Sequence, residues 1–289
     1  MKIQTISIVV GSTSCNAKCP YCISCLTPIQ EVDKQREINV RNFRKLCRLG
    51  QINNVTTILL TGKGEPTLYP EQITEHLKIL SPYEFPFIEL QTNGIELGKK
   101  ASNSLLRGWY NQGLTTVILS TVSVYRDTNQ NIFGTKEYPD ITELVEKFHK
   151  FGFSVRLSAT LMTGFEGCVD SVNEILNYIE FARELKVEQV TVRPMAVPEI
   201  NKATGVYKWA YRHQISPSRI KEISTHFTAK HPLLMELMHG AKVYDVDGQN
   251  FCLSTCLTES PDPEKMRQVI FFPDGHVRYS WQYEGAILL

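Results

Sequence analysis

Cys15-Asn16-Ala17-Lys18-Cys19-Pro20-Tyr21-Cys22 places three cysteines in a C-x3-C-x2-C spacing. It follows an apolar alternation through Ile3, Thr5, Ile6, Ile8, Val9 and Val10 and a Gly11-Ser12-Thr13-Ser14 turn. That pattern predicts a buried strand ending in a thiol-rich loop. Sulfur ligands select soft centres (Fe–S clusters, zinc or copper) over magnesium or calcium. Three close thiolates on a four-iron cluster leave one iron open to a further ligand. Cys25 offers another closure, because with Cys15, Cys19 and Cys22 it could complete a tetrahedral zinc site. Structural zinc usually joins two short clips across a longer loop, whereas these four cysteines lie in one run. Three classes stand open at this point: an Fe–S enzyme, a zinc-stabilised binding module, and an Fe–S electron carrier.

Moving outward, Val55 to Leu60 is an apolar, β-branched run of the kind found in buried parallel strands. It delivers Thr61-Gly62-Lys63-Gly64-Glu65-Pro66, where glycines allow close backbone approach and a carboxylate can accept hydrogen bonds from an ammonium. The bland alternative is an ordinary strand–turn–helix corner. An electron carrier would explain the cysteines but not this second turn.

Together the two motifs, in this order and each at a strand's end, resemble the radical S-adenosylmethionine (SAM) superfamily over roughly residues 1–200. The resemblance implies that Cys15, Cys19 and Cys22 bind a [4Fe–4S] cluster whose open iron chelates the amino and carboxylate groups of SAM. Tyr21 matches the aromatic before the last cysteine. Gly62, Lys63, Gly64 and Glu65 match the glycine–glutamate turn that holds the SAM amino group, with Lys63 departing from the commoner second glycine. One-electron cleavage of SAM to a 5′-deoxyadenosyl radical, hydrogen abstraction from a substrate, and an electron donor such as flavodoxin or ferredoxin are implied with it.

The rest of the first two thirds alternates helix and strand. Asn39 reads as the N-cap of a helix with Phe43, Leu46, Cys47 and Leu49 on one face and Gly50 as its stop. Further helices are expected over 71–80, 101–111, 141–151 and 171–185, and strands over 87–91, 115–119, 153–159 and 188–192. Residues 125–138 read as a polar lid or substrate loop. Six strand–helix units predict an α/β fold, an open partial (β/α)6 barrel over 1–197, with strand ends opening toward a site. By strand-end position the resemblance extends the SAM set to Asn93, Ser120, Leu161, Met162, Val192 and Arg193. Arg156 and Ser158 share one strand face; Arg156 is a candidate for the SAM carboxylate if that face is interior, and a salt-bridging group if it is not.

From residue 198 the character changes, and residues 198–289 are expected to form a small α+β cap. Ser216 to Phe227 reads as a helix, and Val269 to Trp281 as a hairpin around Pro273-Asp274-Gly275. The layout resembles C-terminal extensions of radical SAM enzymes that modify peptides or pterin precursors, where such a hairpin adjoins an auxiliary cluster. Here Ser280 and Trp281 stand where those extensions carry a cysteine, so Cys252 and Cys256 are expected to pack as small apolar groups, with the hairpin shaping and closing the barrel mouth.

The chain's 289 residues carry a net charge of +1, which argues against a broad nucleic-acid or membrane surface. The opening Met1-Lys2-Ile3-Gln4-Thr5 lacks the apolar core of a signal peptide, and no run is long enough to cross a membrane. The eight cysteines are then expected in a reducing cytoplasm, with Cys25 a bystander. Candidates for the substrate face are Asn93, Tyr125, Arg126, Arg193, Glu199, Lys202, His276 and Trp281. A small polar or nucleotide-like metabolite is expected, with a peptide as the alternative.

Overall fold

A computed structural model describes residues 2–27, 37–195, 197, 204–237, 240–254 and 265–289. The apolar alternations form β1 (Lys2–Val9), β2 (Thr57–Thr61), β3 (Phe87–Thr92), β4 (Thr116–Thr121), β5 (Ser154–Leu161) and β6 (Gln189–Pro194), paired in parallel and in that order. Between them run α1 (Ile23–Leu26), α2 (Val40–Ile52), α3 (Pro70–Leu80), α4 (Ile95–Gly98), α5 (Asn103–Asn111), α6 (Arg126–Phe133), α7 (Ile141–Lys150) and α8 (Val172–Glu184). The sheet is open, as a partial (β/α)6 barrel requires.

Its two faces follow the period-two alternation of strands. Val117, Leu119, Val155, Leu157, Ala159, Val190 and Val192 join Leu144, Val145, Ile175 and Ile179 of the helices in one buried core. Burial of these aliphatic side chains, worth roughly 2 kcal/mol each, fixes the register. The alternate residues then face inward: Ile118, Arg156 and Gln189 in one row; Ser120, Ser158 and Thr191 in the next; Thr160 and Arg193 nearest the mouth.

Asn39 caps α2 as expected, its side chain accepting from Asn42 N at 3.1 Å. Gly50 is not the stop. The helix runs on to Ile52, and a Cβ at Gly50 would sit 2.6 Å from Ile6 Cδ1, so this glycine lets the helix lie close on β1. The expected polar lid is instead the helix α6. Ile132 and Phe133 are buried beneath it, Phe133 stacks on Tyr138, and Gly134 closes it at φ +59°. The buried Asn129 stitches its start, accepting from Val122 N and Ser123 N and donating to the Ser123 and Tyr125 carbonyls. Packing and these bonds override a polar composition with low helix propensity.

The C-terminal part contributes α9 (Gly205–His213), α10 (Pro217–Lys230), β7 (Leu233–Glu236), β8 (Lys242–Val246), β9 (Gln249–Leu253), β10 (Lys265–Phe271) and β11 (Val277–Arg278). It extends both edges of the sheet. β9 pairs in parallel with β6 and carries β8 and β7, while β10 pairs in parallel with β1 and carries β11. The expected hairpin is therefore built into the β1 edge, with its turn at the rim of the mouth rather than across it. Cys252 lies half-buried on β9, on the face opposite the buried Phe251 and Leu253, not packed fully inside. Cys256 lies outside the described residues.

Candidate active site

The mouth is built where the cysteine loop folds back on the glycine turn. Val10 N donates to Thr61 O at 2.7 Å, continuing the β1–β2 ladder past β1. Gly11, at φ +72°, then turns the chain, and Ser12 Oγ is held by Tyr69 OH at 2.5 Å. Ser14 O accepts from Glu65 N at 3.0 Å. A Cβ on Gly64 would lie 2.0 Å from that same Ser14 carbonyl oxygen and 2.8 Å from Ser12 O. The absent side chain at Gly64 thus makes room for the cysteine loop itself.

Glu65 is buried, and its carboxylate is the knot of this region. Oε1 accepts from Thr67 N, Thr67 Oγ1 and Thr92 Oγ1 at 3.0, 2.6 and 2.6 Å, and Oε2 accepts from Asn93 N at 2.9 Å. Burial pushes its pKa up, and the Thr67, Thr92 and Asn93 donors pull it back. The carboxylate therefore ties β2's turn to the end of β3. Asn93 continues the tie: Nδ2 donates to Asn16 Oδ1 at 2.7 Å and approaches Cys15 Sγ at 3.9 Å, while Oδ1 accepts from Ile95 N.

Cys15 is exposed at the mouth, and Cys19 and Cys22 are half-buried. Ala17 N donates to Cys15 Sγ at 3.4 Å, and Lys18 N anchors the loop to Phe133 O at 2.7 Å. Desolvation pushes the Cys15 and Cys19 thiols up, each further raised by Cys22 nearby. Lys63 is buried, its Nζ donating to Thr27 Oγ1 at 2.9 Å and lying 5.6 Å from the Trp281 ring centroid. Desolvation lowers its pKa, and Cys22 raises it. This set fits a thiolate-bound cluster: three sulfurs at a strand-end loop, N–H donors aimed at one of them, and a cation beside another. Among the described residues, no three or more Cys, His, Asp or Glu side chains, the three cysteines included, are placed closely enough together to hold a metal ion. Cys25, on α1, is exposed.

The expected SAM-contact residues divide. Ser120, Ser158 and Arg193 face inward, as does Arg156. Arg156 is nevertheless satisfied within the protein: its guanidinium binds Glu89 through both oxygens at 3.0 and 2.7 Å and Gln189 Oε1 at 2.6 Å. A SAM carboxylate would have to displace Glu89, so we assign Arg156 to the barrel floor. Leu161, Met162 and Val192 direct their side chains into the helix-side core. The Val192 carbonyl accepts from Ser254 N at 3.0 Å because β9 pairs alongside.

Of the substrate candidates, Tyr125 and Arg126 are exposed at the start of α6, with Arg126 Nε on Tyr138 O. His276 is exposed, paired with Asp274 at 3.0 Å, and Trp281 packs edge-on to Phe272. Glu199 and Lys202 lie outside the described residues. Sequence reading missed α9, which brings Trp209 over the mouth. Tyr21 stacks on Trp209 at 6.1 Å, Phe165 stacks on Trp209 at 5.6 Å and on His213 at 4.9 Å, and His213 Nδ1 meets Thr163 O at 2.8 Å. The aromatics of Tyr207-Lys208-Trp209-Ala210-Tyr211 were the available signal.

The Radical SAM superfamily model matches residues 9–179, more than half of the chain. GTP 3′,8-cyclases from two strains of Stenotrophomonas maltophilia are 25% and 26% identical over 167 and 168 residues, 57% of this chain and 48% of each relative. The chain thus spans about half the length of the curated relatives it matches. Among solved structures, Streptococcus suis SuiB bound to S-adenosylmethionine superposes with a TM-score of 0.64 at 17% identity, covering 98% of this chain and 61% of that one. Native anSMEcpe with bound AdoMet and Kp18Cys peptide gives 0.63 at 13% identity, over 99% and 77%. At these identities the two structures speak for the fold, while the matched model, with the cysteine loop seated on the glycine turn, speaks for descent: this chain belongs to the Radical SAM superfamily, whose members use a [4Fe–4S] cluster and SAM.

Proposed function

We propose that this chain cleaves SAM reductively at a cluster held by Cys15, Cys19 and Cys22 and turns the resulting radical on a small polar or nucleotide-like metabolite. The observation that carries this is the contact of the Ser12–Ser14 backbone with Gly64 and Glu65, which makes the sulfurs and the glycine turn one rigid unit. When bound, the cluster and SAM supply one-electron cleavage of a sulfonium C–S bond and abstraction of a hydrogen atom. The protein's own part is placement and exclusion of water. Glu65 and Asn93 hold the turn and the loop in register, leaving the backbone of Gly62 to Gly64 to meet the SAM amino group. The stack of Tyr21, Trp209 and Phe165 walls the mouth on the β5 side and offers an aromatic face for adenine.

A nucleotide-like substrate is supported by the GTP 3′,8-cyclase relatives. A peptide substrate is the second reading, favoured by the likeness to the peptide-bound anSMEcpe structure, which extends through the C-terminal strands. Among the described residues no helix is long and apolar enough to cross a membrane. We place the reaction in the cytoplasm, with a flavodoxin or ferredoxin as electron donor. Anaerobic incubation of the reconstituted protein with SAM and dithionite tests the reaction class. Formation of 5′-deoxyadenosine and methionine is expected, and intact SAM beside a fully loaded cluster would refute it.

A further inference from the structure

Two arginines face the inside of the barrel, and they are treated very differently. Arg156 on the floor is answered by Glu89 and Gln189. Arg193, on β6 opposite Thr160 at the mouth, is half-buried and has no hydrogen bond or ion pair among the described residues. Among the described residues, its charged neighbours are Arg156 and Arg267, of like sign, and the acidic group beside it is the Tyr21 phenol, itself pushed well above its usual range by burial. A guanidinium stays ionised, and withdrawing it from water without a partner is unfavourable. The alternation that places Val190 and Val192 in the core turns Arg193 inward. It is held there beside the hydroxyl row of Ser120, Ser158 and Thr191 and next to the cysteine loop's Tyr21.

Resting on the radical SAM reading, we propose that Arg193 receives an anionic group of the substrate, a carboxylate or a phosphate. A planar fork of donors matches either anion in bidentate fashion, and the hydroxyls of Ser158 and Thr191 supply further donors below it. The substrate is then an anion anchored on the β6 side, with the atom to be attacked reaching across the mouth toward the cysteine loop. Arg193 is a binding residue in this account and takes no part in bond breaking.

The test uses the cluster-loaded full chain under anaerobic conditions with SAM at saturation, titrated calorimetrically with inorganic phosphate in one arm and succinate in the other. Saturable binding of at least one probe is expected, and the arm that binds distinguishes phosphate from carboxylate. Arg193→Met should weaken that binding at least tenfold and Arg193→Lys by a smaller factor, whereas Arg44→Met, on the exposed side of α2, should match the wild type. If neither probe saturates, or if Arg193→Met binds as the wild type does, the proposal fails. It fails equally if Arg193→Met loses affinity for SAM while keeping affinity for the probe, since the partner would then be the SAM carboxylate. Should Arg193→Met not load its cluster, Arg193→Lys carries the comparison. Iron content and SAM binding of the wild type, measured on the same samples, report on the radical SAM reading separately.

Discussion

The two sides of the barrel mouth are finished to different degrees. On the β1–β3 side, backbone and side chains are saturated: Glu65 accepts from Thr67, Thr92 and Asn93, Asn93 grips Asn16, and Gly64 admits the cysteine loop at a distance no side chain would allow. On the β5–β6 side, Arg193 faces inward without a partner among the described residues, beside a hydroxyl row and an aromatic wall. The contrast teaches a division of labour. On the proposed reading, the saturated side is preorganised for the cluster and the SAM amino group, and on the other side Arg193 is left for a group the protein does not contain.

The contrast can be broken most forcefully at Gly64. Gly64→Ala drives a methyl group into the Ser14 carbonyl and should destabilise the protein by about 3 kcal/mol and abolish cluster loading, read by thermal unfolding and iron content. Gly62→Ala, whose Cβ would meet Gly64 O at 2.9 Å, should do less on both counts. Next in size, Glu65→Ala leaves the donors of Thr67, Thr92 and Asn93 unpaired in a buried site and should cost about 2–3 kcal/mol in urea unfolding. Comparable values for Ser120→Ala would erase the distinction between the two sides.

A pH effect sharpens the picture behind the saturated side. His76 of α3 is buried edge-on against Phe43, and burial holds its pKa down to about 4. A depressed folded pKa means the unfolded chain takes up the proton first. The contribution is therefore complete above about pH 6.5 and is lost as pH falls through about 4. Wild type should lose roughly 2 kcal/mol more than His76→Leu between pH 7 and pH 5, measured by urea unfolding at each pH; parallel curves would remove His76 from the account. The smallest effect is electrical. Lys63 brings a buried cation beside Cys22, and a cation favours the more negative, reduced cluster. Lys63→Met should make reduction about tenfold harder, ~59 mV for one electron, by potentiometric titration followed by EPR. An unchanged potential would make Lys63 a packing residue only.

Much of this arrangement was legible locally. Strand alternation placed β1 to β6 and put Arg156 and Ser158 on one face without saying that this face was the interior, and the Asn39 cap lay within three residues of its partner Asn42. What escaped depended on pairing between distant segments. Nothing in Gln249–Leu253 or Lys265–Phe271 announces that one strand will lie against β6 and the other against β1, and the first of these closes the Val192 carbonyl. Glu65 reads in sequence as a ligand-facing carboxylate, yet its partners at Thr92 and Asn93 arrive from the next strand. Whether an inward arginine is answered also depends on distant residues: Glu89 reaches Arg156 across β4, and no described carboxylate does the same for Arg193.

The central claim concerns three sulfurs, and counting metal tests it most directly. Anaerobically reconstituted wild type should hold about four iron and four sulfide per chain with a brown absorbance near ~400 nm. Cys15→Ala, Cys19→Ala and Cys22→Ala should each lose that content, and Cys25→Ala should keep it. A colourless single ion that vanishes from Cys25→Ala as readily as from Cys19→Ala would contradict the account.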